Sequence, residues 1–144
     1  MEVKDIPPPL SFRTLKHRRN LMTTAGIILV VAWVPLWNLQ SFAPLGFKIE
    51  ATAALLIWSI LSGVLIYFTR RLSLGVQAEL PSWQQHFAVH LNKYKEGDMT
   101  PVPYAVAKIN RRAIWADKFL PLFIAAFSLL VALSEATQLT WPSS

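Results

Sequence analysis

The chain has no cysteine among its 144 residues, which excludes disulfides and thiolate metal sites. Its five glycines form no glycine-rich phosphate loop, and its scattered Ser, Asp and His residues match no nucleophile motif. Neither catalysis nor a cofactor is expected. His86 and His90 stand i,i+4, a spacing that can put two imidazoles on one metal. The pattern lacks the glutamate of the zinc-protease motif and a nearby third ligand, so side-chain packing between amphipathic helices is the plainer reading and no metal site is expected. Acidic residues are few as well, 8 against 14 Lys and Arg. In a chain that is 53% hydrophobic, the resulting net charge of +6 speaks first of membrane orientation and second of an anionic partner.

Three apolar runs dominate what is present. Leu21–Leu39 and Ala51–Thr69 each hold 19 uncharged residues. At about 1.5 Å per residue, each nearly matches a hydrocarbon core of about 30 Å. Phe119–Ser134 holds 16, and a helix continued through Glu135 to Trp141 is long enough to cross. Pro35 falls near the outer end of the first run, and Trp33, Trp37 and Trp141 suit headgroup levels. The first run starts late and lacks a small-residue cleavage pattern, so it reads as a retained span rather than a signal peptide. Ser59 and Gly63, i,i+4 in the second run, offer a small-residue face for another helix.

Thirteen of the 14 positive residues fall in the N-terminal tail and the 70–118 loop, with only Lys48 in the 40–50 turn and none in the C-terminal tail. The positive-inside bias then puts the N-terminus and the central loop in the cytoplasm and the C-terminus outside. The expected fold is all-α: a polytopic membrane protein with three transmembrane helices and a short cytoplasmic helical insert, assembled as a symmetric homo-oligomer. Its parts are a basic tail (1–20), a two-span hairpin (21–70), the insert (71–117), and a third span with an outer C-terminus (118–144). Pro7-Pro8-Pro9 disfavours helix at the start, and the conformation of Ser11–Asn20 stays open. Within the insert, the pattern predicts a helix over Ser82–Lys95, started at Pro81 and ended by Glu96-Gly97-Asp98. Pro101 and Pro103 predict an extended link before a second helix near Tyr104.

On the third span, Asp117, Pro121, Ile124, Ser128, Val131, Glu135 and Gln138 recur at intervals of three and four, so they share one stripe. Copies around an axis would set rings of Asp117 and Glu135 at the two mouths, with Ile124 and Val131 as an apolar constriction that gates by dewetting. Asp117, Ile124, Ser128, Val131 and Glu135 are thus the pore candidates, and carboxylate rings favour cations. Glu135 has a structural reading too, solvated at the outer interface or paired with Lys48. The opposite stripe, Phe119, Phe123 and Phe127, suits packing or lipid. Ligand candidates are Lys93, Lys95, Lys108, Arg111 and Arg112, interleaved with Tyr94, Tyr104 and Trp115. Charge with stacking faces serves single-stranded nucleic acid, or a nucleotide signal, at about 1–3 kcal/mol per stacked base. Anionic lipid headgroups attract the same cations, and a topogenic role alone also explains them.

Arg18-Arg19-Asn20-Leu21 opening the first span, Leu45-Gly46-Phe47-Lys48-Ile49 in the outer turn and Tyr67-Phe68-Thr69-Arg70 closing the second carry a resemblance. Over its first 75 residues the chain resembles small bacterial anti-phage membrane effectors, namely CRISPR accessory membrane proteins and the channel subunit of Hailong systems. The resemblance implies an inner-membrane oligomer, a tetramer among the possibilities, whose opening depolarises an infected cell under control of a nucleotide or nucleic acid. No nucleotide-binding domain follows the second span here, which leans towards a nucleic-acid ligand. A phage holin and a non-conducting accessory subunit of a larger membrane complex are the competing readings. The uncharged outer C-terminus departs from three-span holins.

Overall fold

The computed structural model describes residues 1–33 and 51–140, and among these the chain is helical without strands. Two helical stretches, Leu55–His86 and Pro101–Thr137, are long and apolar enough to cross a membrane. The expected outer turn with Lys48, the Pro35 kink and the Trp37 and Trp141 anchors lie outside the described residues.

Helix α1 spans Phe12–Trp33, so the basic flank left open by its composition is helical and continuous with the apolar run. Ser11 caps it, its hydroxyl accepting the Thr14 amide at 3.3 Å. Helix α2 runs unbroken over Ala51–His86, a correction to the expected start at Pro81. Proline there removes the amide bond to the Gln77 carbonyl, yet both residues are exposed and water can serve that carbonyl. The buried Leu80, Trp83 and Phe87 on the adjacent face hold the helix in place. The break comes at Phe87 (φ −99°, ψ 15°), and α3 follows as Ala88–Lys95.

The end of α3 is where the sequence places it. Gly97 takes φ 91°, a left-handed value open to glycine at little cost. Its amide bonds the Tyr94 carbonyl at 3.1 Å, and the Asp98 amide bonds the Lys93 carbonyl at 3.0 Å, a Schellman pair. Helix α4, Pro101–Arg112, corrects the expected extended link. Thr100 is its extended N-cap, and both Pro101 and Pro103 fall in the first turn, where amides have no helical acceptor to lose. A π-helical segment, Ala113–Phe119, then leads without interruption into α5, Leu120–Thr140; the Leu120 amide reaches back five residues to the Trp115 carbonyl.

Each long helix offers one buried stripe. Leu21, Ala25 and Ile28 on α1 meet Trp58, Leu65, Leu72 and Val76 on α2 and Ala113, Ala125 and Ala132 on the last helical stretch. The small alanines let backbones approach closely. Away from the bundle the faces are apolar again, with Leu56, Ile60, Phe123 and Leu130 exposed; Phe123 is 72% accessible. Burial inside and apolar surface outside is the pattern a lipid environment allows. Among the described residues the Ser59–Gly63 face is open: Ser59 is exposed and a Cβ at Gly63 would find no neighbour within 4 Å.

A second cluster sits beyond the bundle: Trp83, Phe87 and Val106, with Ile6, Leu91, Val102 and Ile109 against them. The N-terminal arm reaches this cluster, where the Trp83 indole donates to the Pro7 carbonyl at 2.9 Å.

Candidate functional site

Tyr104, Lys108, Arg111 and Trp115 are spaced four, three and four along α4 and the π-helical segment, so they fall on one face. Tyr94 and Lys95 at the end of α3 stand opposite. Together they line a groove of about 530 Å³ whose floor includes Leu91, Ala107 and Ile114. The rings of Tyr94 and Tyr104 lie 6.4 Å apart, tilted 55°. Lys95, Lys108 and Arg111 are all exposed there.

Of the five ligand candidates, the fold gathers Lys95, Lys108 and Arg111 into the groove and leaves Lys93 and Arg112 outside its lining. Lys93 faces the loop instead. The Thr100 amide, bonding Asp98 at 3.0 Å, together with the Thr100 hydroxyl and the Lys93 charge, holds the Asp98 carboxyl below its usual range. His86 and His90 do not share a helix, because the break at Phe87 separates them; the Phe87 ring meets His86 at 4.9 Å and His90 at 6.3 Å. Among the described residues, no three His, Cys, Asp or Glu come together as metal ligands.

The polar stripe expected to line a pore, on the Pro101–Thr137 stretch, turns towards α1 within a single chain. Asp117 is only 8% exposed and pairs with Arg18. Pro121 and Ser128 are fully buried, and the Ser128 hydroxyl donates to the Ile124 carbonyl at 2.8 Å and lies 3.5 Å from that of Ala25. Ile124 packs against the core, and Val131 and Glu135 are half-buried. Phe119, Phe123 and Phe127 face outwards. Two cations mark one level of the bundle by leaning over rings, Lys118 over Phe119 at 5.3 Å and Arg71 over Tyr67 at 5.4 Å.

Spacing alone does not reveal Arg18 as the partner of Asp117, nor Glu79 as the anchor of the N-terminal arm. Glu79 lies ten residues past the apolar part of α2 and accepts the Ser11 amide at 2.6 Å, the Ser11 hydroxyl at 2.7 Å and the Thr14 hydroxyl at 2.8 Å. Partial burial raises its pKa, and these three bonds outweigh it, so the carboxyl titrates below its ordinary range. Where Thr14 crosses α2, a Cβ on Gly75 would meet its hydroxyl oxygen at 2.5 Å. The only local signal is a glycine inside a helix at a buried crossing.

Comparison of the chain with protein-family models, curated proteins and solved structures gives no match.

Proposed function

We propose that the protein is a membrane-depolarising ion channel of bacterial anti-phage defence, a three-span homo-oligomer of the inner membrane opened by an anionic, nucleic-acid-type ligand on its cytoplasmic side. The observation that carries this reading is continuity: the basic aromatic groove and the third span belong to one helical stretch, Pro101–Thr137, joined through π-helical Ala113–Phe119. π-Helical turns recur at functional sites, and this one separates Trp115 of the groove from Asp117 of the α1 contact by a single residue.

Three cations and three ring faces suit phosphates with stacked bases. A ligand that carries a two-state equilibrium from 1:99 to 99:1 must prefer one state by about 10⁴-fold, or about 5.5 kcal/mol. Stacking of two bases at about 1–3 kcal/mol each, with phosphate pairing added, supplies a preference of that order. In this mechanism the ligand draws the α4 face inwards and strains the Arg18–Asp117 contact. Turning of α5 then brings Asp117, Ser128 and Glu135 towards the shared axis.

Proteoliposomes carrying the purified chain test this. Cation flux should rise when a short single-stranded oligonucleotide is added on the cytoplasmic side, and Lys108→Glu with Arg111→Glu should abolish the response. Flux that is absent under every ligand would defeat the reading. A second reading draws on the intrachain satisfaction of Asp117 and Ser128: a non-conducting accessory subunit, packed as a closed bundle, that offers its phenylalanine face to unlike partners. Purification with unlike subunits in fixed ratio would favour it.

A further inference from the structure

A second groove, of about 570 Å³, opens between α2 and α5. From Leu65 to Arg70 it covers five steps along α2, about 7.5 Å at 1.5 Å each, and from Arg70 to Gln77 seven more, about 10.5 Å. With Arg70 at the membrane surface, the apolar part reaches about halfway into a leaflet of about 15 Å. The deep part is apolar, walled by Leu65, Ile66 and Leu129, and Ala125 and Ala126 keep the α5 wall shallow. The other end is polar, with Arg70, Ser73 and Gln77.

The polar end sits at the membrane surface by the packing of the helices. Thr14 lies against Gly75, so one turn further along antiparallel α1 sets Arg18, and with it Asp117, level with Arg70 and Arg71. Arg71 and Lys118, stacked over aromatic rings, mark the same level. Arg70 is exposed and forms no ion pair among the described residues.

We infer that this groove holds one anionic phospholipid of the cytoplasmic leaflet, its acyl chain along Leu65, Ile66 and Leu129 and its phosphate on Arg70, with Ser73 and Gln77 as further donors. An apolar channel whose mouth carries a cation with no acidic partner among the described residues is complementary in shape and charge to that molecule. The inference rests on the membrane reading and is independent of conduction.

The test is native mass spectrometry of the full chain in detergent, with phosphatidylglycerol or phosphatidylcholine added. One phosphatidylglycerol should stay bound per chain in preference to phosphatidylcholine. Arg70→Ala should weaken its retention about five-fold, the equivalent of about 1 kcal/mol for one interfacial cation, and Arg71→Ala should leave it unchanged. Ala126→Leu, at an exposed position on the groove wall, should remove the bound lipid while helicity is kept. Equal retention in wild type and Arg70→Ala, or no retained lipid on a folded chain, overturns the site. So does loss of the oligomer in Ala126→Leu, because a second copy would then be the occupant. Flux measurements do not enter, so failure here and failure of the channel reading are separate results.

Discussion

Arg18 and Asp117, 99 positions apart, form the ion pair that ties the basic start of α1 to the π-helical turn leading into α5. The carboxylate is nearly enclosed and the guanidinium is partly open to solvent. Removing Arg18 leaves a buried charge without a partner, which costs more than the pair itself contributes. Arg18→Ala should therefore lower stability in detergent by about 1–3 kcal/mol. Arg18→Ala with Asp117→Ala should recover part of that loss in thermal unfolding, and a double variant as unstable as the sum of the singles would deny the coupling. In proteoliposomes the single variant should also raise the flux without ligand.

Charge reversal in the basic aromatic groove should be position-specific. Lys108→Glu and Arg111→Glu line the groove and should each weaken binding of a labelled single-stranded oligonucleotide, with a salt slope about 0.7 shallower for every phosphate no longer neutralised. Arg112→Glu, one residue on and outside the lining, should change affinity far less. Tyr104→Ala should cost about 1–3 kcal/mol, the stacking of one base, without changing the salt slope. Equal effects at Arg111 and Arg112 in fluorescence anisotropy would reduce the groove to diffuse positive charge.

Docking of the N-terminal arm should depend on pH through Glu79. Its folded pKa lies below the ordinary value, so its contribution is fully present above the ordinary glutamate range near about 4.3 and is lost as pH falls through the lower folded value. Exchange of the Ser11 amide should be slow at neutral pH and speed up, relative to its intrinsic rate, at the acid end. Glu79→Gln should remove that pH dependence; persistence of it in the variant would assign the effect to another group.

Gly75→Ala should destabilise the crossing of α1 and α2 by about 1–3 kcal/mol, because the new methyl meets a threonine held by its bond to Glu79. Thr14→Ala in the same chain clears the space, so the double variant should regain part of the loss in thermal unfolding. At Gly63, where a Cβ meets open space, the same change should be tolerated within the chain.

The parts legible in the sequence are those with local causes. The apolar character of the two stretches long enough to cross a membrane, the glycine at the end of α3 and the face shared by Tyr104, Lys108 and Arg111 follow from composition, periodicity and backbone preference. Prolines mislead in both directions: Pro81 reads as a helix start, although its missing bond falls on an exposed carbonyl, and Pro101 and Pro103 read as a link, although first-turn amides need no partner. The orientation of the stripe from Asp117 to Glu135 is out of reach for another reason. Spacing places Asp117 and Ser128 on one face, but what that face meets depends on Arg18 and Ala25, about a hundred residues earlier, through packing that no local pattern encodes.

The unbroken passage of α2 through Pro81 has a mechanical consequence. Thirty-six residues make a rod of about 54 Å, of which the 17 from Arg70 to His86 extend about 26 Å past the apolar part. A rocking of about 10° about the end of the apolar part would sweep the far tip, and the cluster built on Trp83 and Phe87, through about 4–5 Å, given that length. Events at the cluster around Trp83 and Phe87 and shifts between the apolar parts of the long helices are thereby geared to each other by a single stiff lever.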